Sequence, residues 1–401
     1  MTQTKIQTAK EVLFAAKEGT FGALPGTMKP LIIEADSYEG DQSKDALEDL
    51  DSSARLMDEQ VRVDGFFNGS AKFKAKLKPF ATQIISSVPT DQPALMDILE
   101  CSLGGMHCGV GGTISAGTAS QVTLSSVTGM RVGEVFGISG GGDNQLAVVE
   151  TLPGSGVVTF WPSVGTAVTT GNAVKGYNAF SSETATSTFS LQHAYPDSAD
   201  EQEEFRGCYA KVKLNSAPNS IVTLDIDVMP ATGQRGALGL STSVQTNPLV
   251  SGGVVFNNAV LYVQTAATTT RTNYCVEEFG FEFDPQIEFT PCGSAVDGKD
   301  GVMRVKGRGL AKLMLKIRAD SDEFTAWTAR TVRRVLLGLP RGSGTTKRWV
   351  YVYMPRAVLA RAPKPTKSGG RLLYELEFHS QINNAAAADS IGGASVVLGA
   401  L

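Results

Sequence analysis

One arrangement of elements occurs twice along this chain, and that restricts the fold more than any composition figure does. VRVDGFFNGSAKFKAKLKP (61–79) has a counterpart in MRVKGRGLAKLMLKI (303–317). Each reads as a short strand, a turn centred on Gly65 or Gly307, and an alternating strand that carries lysines. Alternate side chains of a strand point to opposite faces. Lys72, Lys74, Lys76 and Lys78 therefore share one face, and Ala71, Phe73, Ala75 and Leu77 the other. In the second copy Lys312, Lys316 and Arg318 oppose Ala311, Leu313, Leu315 and Ile317.

A helix is expected after each strand. The first is DQPALMDILECSL (91–103), with Asp91 and Pro93 at its start and Gly104 as its stop. The second is SDEFTAWTARTVRRVLL (321–337), where Asp320 and Glu323 have capping-box spacing and Gly338 can end the helix. Phe324, Trp327, Thr331 and Val335 would form its buried stripe, leaving Arg330 and Arg333 on the outer face. STFSLQHAYP (187–196) then parallels TKRWVYVYMP (346–355), and SIVTLDIDV (220–228) parallels RLLYELEF (371–378). The order strand–turn–strand–helix–strand–strand predicts two tandem units, 1–108 with 179–235 and 236–401. Between them, 109–178 carries VTLSSV, EVFGIS, QLAVVETL and VVTFWP separated by Gly-rich turns, the pattern of a small all-β domain inserted at a surface loop. The tail 381–401 is expected to be a terminal strand or an arm ordered by a neighbour.

With 401 residues, 43 glycines and much Val and Thr, the chain is expected to be mainly β. Its net charge of −4 does not point to a nucleic-acid binder. No apolar leader and no run of 18 apolar residues is present, so neither a secretion signal nor a membrane span is expected. Five scattered cysteines then read as reduced thiols made in a cytoplasm. Residues 34–59 are strongly acidic (Glu34, Asp36, Glu39, Asp41, Asp45, Glu48, Asp49, Asp51, Asp58 and Glu59 against Lys44 and Arg55) and read as a long solvated or partner-ordered loop.

The chain offers little catalytic chemistry. Cys101, His107 and Cys108 lack zinc spacing and a fourth ligand. His193 and His379 fall in expected strands with no cysteine beside them. SGGGDN (139–144) precedes no helix and reads as a hairpin turn, not a phosphate loop. No enzyme activity, cofactor or metal is expected. The lysine row has no interleaved aromatics for stacking on bases. Rows of the same period and opposite sign exist, Asp225 with Asp227 and Glu375 with Glu377. A plain solvated face, pairing with carboxylates of the same or a neighbouring subunit, and nucleic-acid contact all remain open for the lysines.

KEVLFAAKEGTFGALP (10–25) resembles the opening of the tail tube (major tail) proteins of long-tailed bacteriophages. The acidic loop, the strand pairs, one helix per unit and the LDIDV and YELEF strands are similar too, over most of the chain except 109–178. The resemblance implies two tail-tube β-barrel/sandwich units, each with one flanking α-helix, and a virion protein whose rings stack into a hollow tube that passes phage DNA to the host. It implies self-assembly as a trimer with pseudo-six-fold symmetry, contact with the tape measure, tail terminator and tail tip proteins, synthesis in the host bacterial cytoplasm, and no membrane. On that basis Lys72, Lys74, Lys76, Lys78, Glu34, Asp36, Glu48 and Asp49 are candidate inter-subunit contacts, and Asp225, Asp227, Glu375 and Glu377 candidate lumen-facing groups. The insert would project outside the tube. A capsid or decoration protein shares this composition, and so does a carbohydrate-binding adhesin, for which Trp161 is the candidate aromatic platform.

Overall fold

A computed structural model describes residues 12–34, 36–49, 61–80, 84–85, 92–109, 111–164, 166–182, 187–195, 198–216, 219–238, 254–256, 258–265, 274–291, 299–304, 309–318, 322–368, 370–382 and 391–401. The chain opens with strands β1 (Val12–Lys17), β2 (Lys29–Leu31), β3 (Glu39–Asp41), β4 (Lys44–Asp49), β5 (Val61–Phe67) and β6 (Ser70–Lys76), then helix α1 (Ala94–Leu103) and β7 (Gly104–Cys108). Six strands follow, β8 (Gly112–Gly117), β9 (Gln121–Leu124), β10 (Val135–Gly140), β11 (Asp143–Gly154), β12 (Val157–Trp161) and β13 (Gly171–Val174). The first unit resumes with β14 (Tyr177–Ser181), β15 (Phe189–Tyr195), β16 (Ser198–Ser216), β17 (Thr223–Met229) and β18 (Thr232–Gly236). The remainder comprises β19 (Val260–Thr265), β20 (Val276–Asp284), β21 (Ile287–Pro291), β22 (Lys299–Arg304), β23 (Leu310–Arg318), α2 (Asp322–Thr328), β24 (Arg333–Arg341), β25 (Arg348–Leu359), β26 (Lys364–Ser368), β27 (Arg371–Ser380) and β28 (Val397–Ala400). The protein is mainly β, and every pairing between these strands is antiparallel.

The repetition read in the sequence is present in the strand neighbours. In the first unit the lateral order is β3–β6–β17–β16–β15–β1. In the second it is β20–β23–β27–β25–β24–β19. Each strand corresponds to the one at the same place in the chain. The two sets join edge to edge, β16 on β20, with Val212 opposite Phe283 and Leu214 opposite Phe281. Under this joined sheet lies one core, which includes Phe73, Ile226, Val212, Phe281, Leu313 and Phe378, all buried. Burying side chains of that size stabilises by roughly 1.5–3 kcal/mol each.

Glu18 shows why the opening motif is held in place. Its carboxylate accepts hydrogen bonds from Gly22 N at 2.8 Å, Thr188 Oγ1 at 2.6 Å, Ser190 Oγ at 2.6 Å and Gly207 N at 2.8 Å. Buried carboxylates need such donors.

Several expectations change. The first hairpin turns at Asn68–Gly69, while Gly65 lies inside β5. The acidic segment is not one loop, because β3 joins the main sheet and β4 pairs with β5 in a two-stranded ribbon. Helix α2 is only seven residues long, and the expected helix C-terminal half is strand β24. Glu323 and Ala326 face inward, Phe324 and Trp327 are exposed, and Arg333 is buried against Glu323. The segment 187–196 contains β15, whose counterpart is β24; 346–355 runs into β25, whose counterpart is the unforeseen 19-residue β16. The caps at Asp91 and Asp320, the Gly307 turn, and Asp51, Asp58 and Glu59 lie outside the described residues. Helix α1 starts after Pro93 and ends at Gly104, whose φ of 111° is the left-handed conformation that suits glycine.

The inserted strands close into a barrel of order β10-β11-β12-β9-β8-β13 around its own core of Ile114, Val122, Phe136, Ile138, Val149 and Phe160. SGGGDN is the β10–β11 turn, where Gly141 and Gly142 have φ of 62° and 90°, the two positive values a tight hairpin turn requires. One side of the barrel is not free. Val135, Leu146, Val148 and Trp161 share a buried cluster with Tyr262, Leu336, Trp349 and Tyr351 of the second unit. Strand β28 lies between β14 and β25, so the tail is a terminal strand within its own chain. The insert is therefore packed across both units, not a pendant ornament.

Candidate assembly face

The face of the joined sheet opposite the core carries charge in a regular pattern. Strand by strand, the charged side chains on that face read Glu39 and Asp41 on β3, Lys72, Lys74 and Lys76 on β6, Asp225 and Asp227 on β17, and Lys211 and Lys213 on β16. Across the seam they read Glu278, Glu282 and Asp284 on β20, Lys312, Lys316 and Arg318 on β23, Glu375 and Glu377 on β27 with Arg371 at that strand's first residue, and Lys364 on β26. Apart from Arg371 at the start of β27, eight neighbouring strands thus alternate in sign, acidic, basic, acidic, basic, and so on.

The registers make this a pairing of residues and not only of strands. Lys74 is opposite Asp225, which is opposite Lys213, which is opposite Glu282, which is opposite Lys312. A parallel row runs Glu39, Lys72, Asp227, Lys211. In the second unit Glu278, Lys316, Glu375 and Lys364 form another. Contact distances are 2.9 Å for Lys211–Asp284, 3.5 Å for Lys213–Glu282 and 2.5 Å for Lys316–Glu278. The hydrogen bond to Glu278 raises the Lys316 ammonium above its ordinary pKa.

Such exposed pairs are worth about 0.2–1 kcal/mol each. Their stronger effect is on register. A one-residue slip turns the core face outward, and exchange of neighbouring strands would set like charges together. Lys72 and Lys74 thus stand opposite carboxylates of their own chain.

The candidate residues distribute as follows. Lys72 and Lys74 stand in the alternating rows, while Lys76 faces Thr223. Lys78 departs from expectation: it follows the end of β6, is buried, and burial lowers its pKa, aided by Lys76 and Arg341. Glu34 is half-buried beside β6, its backbone N–H donating to Lys74 O at 2.7 Å. Asp36 is exposed, with φ of 55°. Glu48 and Asp49 lie on β4, outside the main sheet. Glu375 faces Lys316; Glu377 faces Met314 and contacts His379 and Arg361, each at 2.8 Å. All four proposed lumen carboxylates share this one face, yet lysines interleave them, so the face is not an acidic wall. Lys211, Lys213, Glu282 and Asp284 were overlooked; the alternation in AKVKL and FEFD was their signal. The face also holds a groove of ≈ 670 Å³ lined by Glu34, Ser220, Gly280, Met314, Lys316 and Glu375.

A second charged cluster ties the barrel to the first unit. Lys175 Nζ is 2.5 Å from Glu134 Oε1, and His107 Nε2 is 3.3 Å from Glu134 Oε2, all three groups buried. Burial alone would raise the Glu134 pKa, but the His107 contact and the Lys175 charge outweigh it and hold it below its ordinary value. His107 is thus occupied by a carboxylate, and Cys101 is buried in α1. Among the described residues no group of three His, Cys, Asp or Glu could hold a metal ion. Trp161 is buried within the barrel–unit cluster and offers no platform for a sugar. Among the described residues, no helix is long and apolar enough to cross a membrane.

No protein-family model matches the chain, and no curated protein matches it significantly.

Proposed function

We propose that this protein is a structural component of a virion that assembles itself into stacked rings, forming a tail tube through which phage DNA reaches the host. The observation that carries this reading is the edge-to-edge seam of two units with the same strand order, β16 on β20. A unit that can pair with a copy of itself inside one chain has the geometry to do so between chains. Joints of this head-to-tail kind close into rings or run on as filaments.

Two units per chain make three chains the natural complement of a six-unit ring. The interleaved charged face suits a conduit wall, because opposite charges that neutralise each other neither hold phosphates strongly nor add much salt dependence. Tape measure, terminator and tip proteins would be its partners, with no enzyme activity or membrane role. Electron microscopy of the purified protein, with two-dimensional averages, tests the reading. Hollow stacked rings are expected, with end views that show three chains. Particles that remain dispersed monomers across concentration and salt, with or without an added tail-tip complex, would overturn it.

A further inference from the structure

The sign alternation ends acidic at one edge of the sheet and basic at the other, and the strands at these edges, β3 and β26, have no outer neighbour among the described residues. The inner seam gives the pairing rule. There Lys213, which faces Asp225 on one side, faces Glu282 on the other. Lys364 holds the corresponding place in the second unit, facing Glu375, but its outer side is open. On the acidic side, Glu282 lies across from Lys312, two places along β23 from Met314, which faces Glu377. Asp41 lies across from Ser70, two places along β6 from Lys72, which faces Asp227. Asp41 is therefore the counterpart of Glu282.

We propose that β26 of one copy pairs antiparallel with β3 of the next, Lys364 opposite Asp41, and that charge alone selects this head-to-tail joint. The inference rests on the ring-forming reading above. Joining β26 to β3 extends the alternation through the contact, Ser70, Asp41, Lys364, Glu375, Lys316, Glu278. The competing two-fold joints bring together edges of one sign: β3 on β3 sets Glu39 opposite Asp41, and β26 on β26 joins two strands that carry lysines and no carboxylate. A closed pair that would stop growth is thereby disfavoured. Glu39, Asp41 and Lys364 are all exposed, and Asp41 accepts one hydrogen bond, from Ser43 Oγ at 3.0 Å. In this register Pro365, which supplies no N–H, falls opposite Gly40 and keeps the joint short.

Charge reversal tests the joint. Lys364→Glu and Asp41→Lys should each raise the protein concentration needed for assembly about ten-fold, read by sedimentation and electron microscopy. Lys364→Glu with Asp41→Lys in the same chain should restore wild-type assembly. Circular dichroism checks that each variant keeps its β content, and a zero-length carbodiimide cross-link between copies should join the peptides carrying Lys364 and Asp41. If wild-type rings form and both single variants assemble as well as wild type, the joint is wrong and the ring reading stands. If wild-type protein forms no rings under any condition, the reading and the joint fall together.

Discussion

Lys213 and Glu282 face each other across the seam between the two units, Nζ to Oε1 at 3.5 Å, in a chain that could have placed any pair there. Each is partly exposed, so their coupling is small. Lys213→Glu or Glu282→Lys should cost about 0.5–1 kcal/mol in urea unfolding, and the exchanged double variant should recover most of it. A double variant no more stable than the sum of the singles would show that the pair is not coupled.

The buried ion pair behind α2 is a different case. Arg333 Nη1 donates to both oxygens of Glu323, at 2.9 and 2.8 Å, with both side chains out of solvent. Glu323→Ala leaves a buried guanidinium without its partner and should destabilise by about 3–5 kcal/mol. Glu323→Ala combined with Arg333→Met should cost less than Glu323→Ala alone, as measured by equilibrium denaturation.

Lys175→Met poses the same question at the root of the barrel. Glu134 would keep His107 and the Arg131 N–H but lose its buried cation, and the loss should again be about 3–5 kcal/mol. In wild type the lowered Glu134 pKa contributes stability above the ordinary carboxylate value of 4.5 that is lost as pH falls through the lowered one. The variant should therefore lose part of the wild-type pH dependence in acid, read from melting temperature against pH.

His193 gives a separate pH signature. It is buried, stacked on Tyr38 with ring centroids 3.8 Å apart, and burial pulls its pKa from 6.5 to about 4. Between pH 6.5 and 4 the unfolded chain binds this proton and the native one does not, so stability falls on acidification through that window. His193→Phe keeps a ring against Tyr38 and removes the titration. Its melting temperature should fall less steeply between those pH values than that of wild type.

Strand β28 is the simplest to remove. Val397, Leu398, Ala400 and Leu401 are buried between β14 and β25. A chain ending at Val396 should lose at least about 5 kcal/mol by the area those side chains cover, and limited proteolysis should then cut the barrel from the rest. Resistance equal to wild type would show that β28 is dispensable.

Much of this architecture was legible in the sequence where one face of a strand is wet. The Lys row of β6 and the Asp row of β17 alternate without a break, and they turned out to be neighbours. Strand β24 was misread because Val335 to Leu339 is buried on both faces, which erases the period of two and leaves an apolar run that a helix also fits. The stripe through Phe324 and Trp327, which does lie on α2, then carried the expected helix too far. Strand β16 was hidden for another reason: its first half reads DEQEE, a charge run, yet Glu203 and Glu204 are buried. Tyr38 Oη donates to Glu203 at 2.8 Å, and Gln192 and Gln234 donate to Glu204. Partners from distant segments cannot be read from local pattern. The candidate rows were found by their period, but their partners across the seam depend on register, which only the assembled sheet provides.

The seam itself has a kinetic meaning. Because β16 and β20 belong to one molecule, each meets the other at an effective concentration fixed by the connecting chain and never diluted. Fusion therefore spares this contact the translational and rotational entropy, roughly 4–15 kcal/mol, that separate molecules must give up to associate. Changes to its exposed pairs, such as Lys213 with Glu282, can weaken the joint and still leave it formed at any protein concentration, while its buried residues Val212, Leu214, Phe281 and Phe283 stay bound by the core.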